Sequence, residues 1–400
     1  MRTFFREHPA IGQRDRGLLA DRAYSVLRNR RLFAHLAESG SGPLERRMAL
    51  IADARSGQAV MRPSAPEREW LQRLAQIDEA SFPDPVRHSL PDWLAGGLAE
   101  LMPPAQQAAL GQYLLQGAPL DIRINPLKAD RHQVGEQLEK ANIGRLEVSP
   151  DGPLAGLDTL VRLQGHPALE RLPGFEAGWF EVQDAGSQLV AQLCGARRGQ
   201  TVVDFCAGAG GKTLALAASM RSRGQLYAFD VSDRRLAAMR PRLARSGATN
   251  VQPMRLTDEG DARLKRLAGR ADLVLVDAPC SGTGTLRRNP DLKWRHDAQV
   301  LARLFEQQQS ILTAASRLVK PGGRLVYVTC SLLARENEQV ALAFEAAHGA
   351  GFVREDLVAG LALPGERPPM PAGSAGFLRL WPHLDDCDGF FAAAWRKAVN

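Results

Sequence analysis

Residues 273–276, Leu-Val-Leu-Val, form an unbroken apolar run that stops at Asp277 and is followed at once by Pro279 and Cys280. Such a run reads as a strand buried on both faces of a parallel sheet, because a strand with one wet face alternates. Fifty residues after Cys280 the pattern recurs: Arg324-Leu325-Val326-Tyr327-Val328-Thr329 reads as a buried strand and is followed by Cys330. Ligands of open α/β sheets bind beyond the carboxyl ends of the strands, so Asp277, Cys280 and Cys330 fall where chemistry is usually done. Two thiols at two strand ends of one sheet is an uncommon arrangement, and we read them as acting on one pair of substrate atoms.

The surroundings of these runs agree. From Gln183 onward, strands at 201–205, 225–230, 250–256, 272–277 and 324–329 alternate with helices at 212–220, 233–246 (despite Pro241) and 296–318. Late strands follow at 377–381 and 389–395. This alternation predicts an α/β fold with a doubly wound, mostly parallel sheet and helices on both faces. Residues 119–182 read as a small α+β module, with a strand at 120–126 carrying polar residues on one face and a helix near 132–141. Residues 1–80 have helical periodicity, and 81–118 form a helical linker after the breaker-rich stretches 62–66 and 82–85. Arg14, Arg16, Arg22, Arg28, Arg30 and Arg31 lie among the first helices. They suit either RNA phosphates or a solvated face pairing with Asp15 and Asp21.

Composition narrows the class. No apolar run approaches the ~20 residues of a membrane span, and the start lacks a signal core, so a cytoplasmic protein without membrane contact is expected. Five widely spaced cysteines give neither a disulfide framework nor zinc spacing, and no metal is expected. The net charge of +7 suits phosphate-rich partners without deciding for them.

The first strand of the sheet runs into Asp204-Phe205-Cys206-Ala207-Gly208-Ala209-Gly210-Gly211-Lys212-Thr213. Glycines there let the backbone turn tightly against a ligand while the next helix offers its N-terminus. A phosphate-binding P-loop fails because Cys206 stands where its first glycine belongs, and the dinucleotide fingerprint fails at Thr213. The spacing Asp-x-x-x-Gly-x-Gly is that of S-adenosylmethionine-dependent methyltransferases. Asp230, ending the second strand, is placed for the ribose hydroxyls, and Asp258, past the third, for the adenine amino group.

A thiolate added to C6 of a cytosine makes C5 nucleophilic towards a methyl donor; the C5 proton and the thiolate must then leave, which calls for a second acid–base group. The attacking thiol needs a positive neighbourhood, which Lys212 and nearby helix N-termini can supply. The chain over roughly 90–400 resembles the RsmB/Sun (NSUN) family of RNA cytosine-C5 methyltransferases. The resemblance rests on Gln183-Asp184-Ala185-Gly186-Ser187, the loop 206–213, Asp277-Ala278-Pro279-Cys280-Ser281-Gly282 and Arg288-Asn289-Pro290-Asp291-Leu292-Lys293-Trp294. Tyr327-Val328-Thr329-Cys330-Ser331 with Glu336-Asn337-Glu338, Trp381-Pro382-His383, Asp388-Gly389-Phe390-Phe391 and Arg123-Ile124-Asn125-Pro126-Leu127-Lys128 extend it.

The resemblance implies a Rossmann-like class I methyltransferase domain over 183–400, preceded by an RNA-recognition module at 119–182 and a shortened NusB-like region at 1–80. It implies Cys330 as the nucleophile and Cys280 in proton removal and product release. Asp277 would contact cytosine and cofactor, with Lys212 near the base. Cys206, Ala207, Gly208, Ala209, Gly210, Gly211 and Lys212, with Asp230, Asp258 and Asp277, would hold S-adenosylmethionine. Ala209 departs from the family's proline, so one rigid φ angle is lost. The expected substrate is RNA, 16S rRNA before tRNA, and the expected state a monomer. Two rivals remain: DNA cytosine methylation, for which the roughly 70 residues after Cys330 leave little room for target recognition, and a non-catalytic ribosome-assembly factor. Cys194 and Cys387 are read as packing residues, Cys206 as a backbone contributor with a bystander thiol, and Trp294 as either a base-stacking or a packing residue.

Overall fold

Apolar residues at helical spacing close a first core in the computed structural model, which describes residues 1–57 and 60–399 apart from the Arg2 side chain. Helices α1 (Gln13–Arg28), α2 (Arg30–Ala37), α3 (Leu44–Arg55) and α4 (Ala65–Leu74) surround it. Leu32, Phe33, Ile51 and Trp70 are buried there. The expected linker at 62–66 is instead a helix start. The Ser64 hydroxyl and the Glu67 carboxylate cap each other's backbone N–H groups, and Pro66 occupies the first turn, where a missing N–H costs nothing. Pro85 likewise opens the short helix Asp84–Arg87. Helices α5 (Asp92–Ala99) and α6 (Pro104–Leu114) follow.

These helices belong to a compact unit made of Met1–Gly117 and Leu286–Arg295. The late segment is held there because Lys293 Nζ donates to the Arg28 carbonyl at 2.8 Å and the Trp294 indole to the Leu27 carbonyl at 2.7 Å. Leu286–Arg295, which lies inside the span 183–400, thus packs with the N-terminal helices. Most of the arginines expected to form a face are engaged inside this unit. Arg22 pairs with Asp53, Arg16 donates to the Pro9 and Ile11 carbonyls, Arg28 to the Arg287 carbonyl and Arg31 to that of Leu90. Arg14 and Arg30 stay exposed.

The second unit begins with β1 (Leu120–Ile124), α7 (Arg131–Lys140), β2 (Arg145–Leu146), β3 (Leu160–Leu163) and β4 (Phe180–Val182). The strands form an antiparallel sheet in the order β2-β3-β1-β4. The polar face of β1 is not solvated. Asp121, Arg123 and Asn125 are all buried, Asp121 taking two hydrogen bonds from Arg162 at 2.7 and 3.0 Å. Arg123 donates to Gln183 at 2.7 Å, and the Asn125 amide to the Gly178 and Ser246 carbonyls. The module is thus tied by an internal polar seam to the sheet that follows.

That sheet contains β5 (Thr201–Asp204), β6 (Gln225–Asp230), β7 (Val251–Arg255), β8 (Ala271–Asp277) and β9 (Val319–Thr329), parallel in the order β7-β6-β5-β8-β9. Beyond β9, β12 (Phe390–Lys397) runs antiparallel, flanked by β10 (Phe352–Glu355) and β11 (Leu378–Leu380). The doubly wound, mostly parallel architecture is the expected one. Its two cores are visible in single strands: Leu273 and Leu275 point into one, Val274 and Val276 into the other. Helices α8 (Ala185–Leu193) and α9 (Gly211–Ser219) cover the first core. Helices α11 (Ala298–Ser316) and α12 (Glu338–His348) cover the second, while α10 (Asp233–Ser246) packs Leu236 and Met239 on Ala207 and Ala228. No helix among the described residues is long and apolar enough to cross a membrane, and no cluster of metal-binding side chains occurs among them.

Asp121→Ala removes one partner of a fully desolvated ion pair and leaves the Arg162 guanidinium buried, with the charges of Asp386 and Asp184 near it. A loss of about 3 kcal/mol is expected. Urea unfolding monitored by tryptophan fluorescence measures it, and Asp121→Leu with Arg162→Met should recover most of the loss.

Candidate active site

Strand β5 lies between β6 and β8, so the chain winds outward through β6 and β7 and then returns to build β8 and β9 on the other side. Loops leaving β5 and β8 diverge at such a reversal and leave a crevice, the usual ligand site of this architecture. A cavity of ≈ 650 Å³ opens there. Cys206, Ala207, Gly208, Ala209, Gly211 and Lys212 line it from the turn after β5, Asp230 and Asp258 from the ends of β6 and β7, and Asp277, Cys280 and Cys330 from the ends of β8 and β9. Of the residues the sequence singled out, Gly210 alone is outside the lining. Its φ of +87° turns the chain into α9, and a Cβ would lie 2.6 Å from Met239 Cγ, so glycine is required for packing.

The cavity fits an adenosyl ligand. Asp230 is buried, and its carboxylate is held in place by the Gly208 N–H at 2.9 Å and the Ser232 N–H at 2.8 Å. Leu256 and Ile311 supply apolar walls, and Asp258, exposed at the rim, accepts the Gly260 N–H at 2.7 Å. The rigidity lost by having Ala209 in place of proline is partly restored, because Arg242 donates to the Ala209 carbonyl at 2.7 Å. The Cys206 thiol is pushed well up by burial and by Asp204, Asp277 and Asp230, so it stays protonated. Cys194 and Cys387 are buried in the apolar core, as expected of packing residues.

Lys212 is drawn down by burial, but the Asp277 charge and hydrogen bond, at 2.8 Å, together with Cys330 more than offset this, and its ammonium is held above the ordinary lysine range. Its Nζ also stands over the Phe390 ring at 5.0 Å. Strands β8 and β9 are paired so that Asp277 lies opposite Val328, and the turns that follow them are therefore neighbours. Cys280 Sγ and Cys330 Sγ are 3.4 Å apart. The hydrogen bond to Cys330, burial and the charges of Cys330 and Glu336 push the Cys280 thiol well up. Gly284 lets the two turns approach: its N–H donates to the Cys330 carbonyl at 2.8 Å, and a Cβ would stand 2.1 Å from the Gly389 carbonyl oxygen.

Two features were missed from sequence. Asp204, under the glycine loop, is buried and its carboxyl is pushed up to about 7, chiefly by burial, with Asp277 and Asp230 adding to it against the Thr213 hydrogen bond. Glu336, quoted only as part of a motif, lies buried behind both cysteines; the signal was the serine that follows each of them. Trp294 is half-buried and donates its indole N–H to the Leu27 carbonyl within the first unit.

A family model described as 16S rRNA methyltransferase RsmB/F matches residues 191–396. The chain is 38% identical over 326 residues to a probable ribosomal RNA small subunit methyltransferase B of Synechocystis, covering 80% of this chain and 70% of that protein. Among solved structures, PH0851 superposes with a TM-score of 0.77 at 25% identity, covering 98% of this chain and 93% of the other. A methyltransferase homolog protein from Pyrococcus horikoshii gives a TM-score of 0.65 at 25% identity over 80% of this chain and all of its own.

Because the Asp204 carboxyl binds its proton more tightly folded than unfolded, the folded state holds the extra proton between about pH 4 and 7, and stability should fall as pH rises through that window. Asp204→Asn, which keeps an acceptor for Thr213, should flatten that part of the curve by roughly 4 kcal/mol at most. Urea unfolding of both proteins across pH 4 to 8 measures the difference.

Proposed function

The chain belongs to the RsmB/F family of ribosomal RNA methyltransferases, and on that premise we propose that it methylates C5 of a cytosine in RNA, 16S rRNA in particular, through a covalent cysteine adduct. The observation that carries this reading is the 3.4 Å contact of two thiols beside the glycine-loop cavity. S-adenosylmethionine, when bound, supplies a methyl group on a positively charged sulfur. Residues 206–212, Asp230, Asp258 and Asp277 would hold it.

Cys330 is the nucleophile. Its sulfur adds to C6, and the electron pair of the C5–C6 bond becomes available at C5. The Lys212 ammonium, paired with Asp277, stabilises the negative sulfur before attack. The Cys280 thiol is in contact with Cys330 and is held well up by that hydrogen bond, by burial and by the Cys330 charge. Once Cys330 is bonded to carbon, that hydrogen bond and that charge are gone. These are two of the influences that keep the Cys280 thiol up, so its pKa falls at the stage when a base is needed. Cys280 gives its own proton to water and, as a thiolate, takes the C5 proton; the C5–H electron pair re-forms the C5–C6 double bond, and Cys330 leaves with the electron pair of the C6–sulfur bond.

Cys330→Ala should abolish methyl transfer while leaving S-adenosylmethionine affinity unchanged by calorimetry. Cys280→Ala should accumulate a covalent protein–RNA adduct on a denaturing gel; an adduct seen only with Cys330→Ala would exchange the two roles. Bisulfite sequencing of RNA from a deletion strain against its parent should show one cytosine gaining reactivity, and the RNA containing it identifies the substrate.

A further inference from the structure

The Glu336 carboxylate is fully buried directly behind the cysteine pair, and no step of the proposed reaction uses it. One oxygen accepts the Ser281 backbone N–H at 2.8 Å and the Gln308 amide at 3.0 Å. The other accepts the hydroxyls of Ser281 and Ser331. Ser281 and Ser331 are the residues next to Cys280 and Cys330 in the chain. Gln308, from α11, also donates to the Pro279 carbonyl at 2.9 Å. Residues on both sides of Cys280, and the one after Cys330, are therefore tied to a single anion.

A buried carboxylate costs several kcal/mol unless donors replace its water, and the donors gathered here come from both cysteine turns and from α11. The geometry is cooperative in a useful sense: moving either turn away strands the charge, so both are held at one distance. We propose that Glu336 is the positioning residue of the reacting centre, fixing the separation of the Cys280 and Cys330 sulfurs through Ser281 and Ser331. The proposal rests on reading that pair as the reacting centre.

The test separates geometry from reaction. Phenylarsine oxide forms one As–S bond to each of two adjacent thiols, with release of water, and needs neither RNA nor cofactor. Its capture by the intact protein, followed by mass spectrometry with Cys330→Ala as the blank, reports the sulfur separation. Single-turnover methylation reports the consequence.

Glu336→Gln keeps an acceptor for the Ser281 N–H and turns its amide towards the two hydroxyls, so capture and turnover should stay near the parent values. Glu336→Ala should slow both by roughly a hundredfold with S-adenosylmethionine affinity unchanged. Ser281→Ala with Ser331→Ala, which removes the hydroxyl straps and retains the buried charge, should slow both by roughly tenfold and keeps the proposal testable if Glu336→Ala does not fold. Parental capture and rate in Glu336→Ala would overturn the clamp. Equal damage from Gln and Ala would overturn it too, by making charge rather than strapping the requirement. Slowed capture in a protein that methylates no RNA in any form would uphold the clamp and sink the reaction assigned to the pair.

Discussion

The register between β8 and β9 governs everything at the site. Parallel pairing fixes Asp277 opposite Val328, so each strand ends at the same height and hands its chain to a turn on the same edge of the sheet. Two cysteines 50 residues apart in sequence are brought within 3.4 Å by that one constraint. A slip by one residue would turn Leu273, Leu275 and their neighbours out of one core and into the other, which the different shapes of the two cores oppose. Packing therefore enforces the chemistry: the register holds only where each side chain fits the core it faces.

Electrostatics is arranged on top of that frame. Three acids, Asp204, Asp230 and Asp277, end three neighbouring strands, and the fold gives each a different neighbourhood. Asp204 is buried with a single hydroxyl donor and keeps its proton towards neutral pH. Asp230 is held by two backbone N–H groups on the cavity wall. Asp277 faces Lys212. The same residue type thus does three jobs, set by how much water and which donors each one retains.

The α+β module is joined to the sheet by charge and amide groups taken out of water. Arg162 with Asp121, Arg123 with Gln183, and Glu181 with Arg242 and Arg245 form its inner seam. Gln183 in turn donates to Ser187, which lines the cavity, so the seam reaches the site wall through two hydrogen bonds. A polar residue on an alternating strand looks solvent-facing from sequence; here every such position on β1 is buried, because its partners come from segments far away in the chain.

The sequence alone determined the sheet, its winding and the chemical classes at its strand ends. Those depend on local periodicity: the apolar run 273–276 reads as a doubly buried strand, and the glycine-rich turn after the first strand became an adenosyl-binding reading only together with Asp230 and Asp258. The α10 span Asp233–Ser246 was legible from sequence, and in the structure Ser232 caps its start and Gly247 its end. Only the tertiary structure decided the rest. It turned the N-terminal arginines inward, carried Leu286–Arg295 into the first unit, and gave Glu336 its place behind both thiols. Each of these is a choice of partner across many residues, and a partner is set by which surfaces meet once water is excluded, a property that no short window of sequence contains.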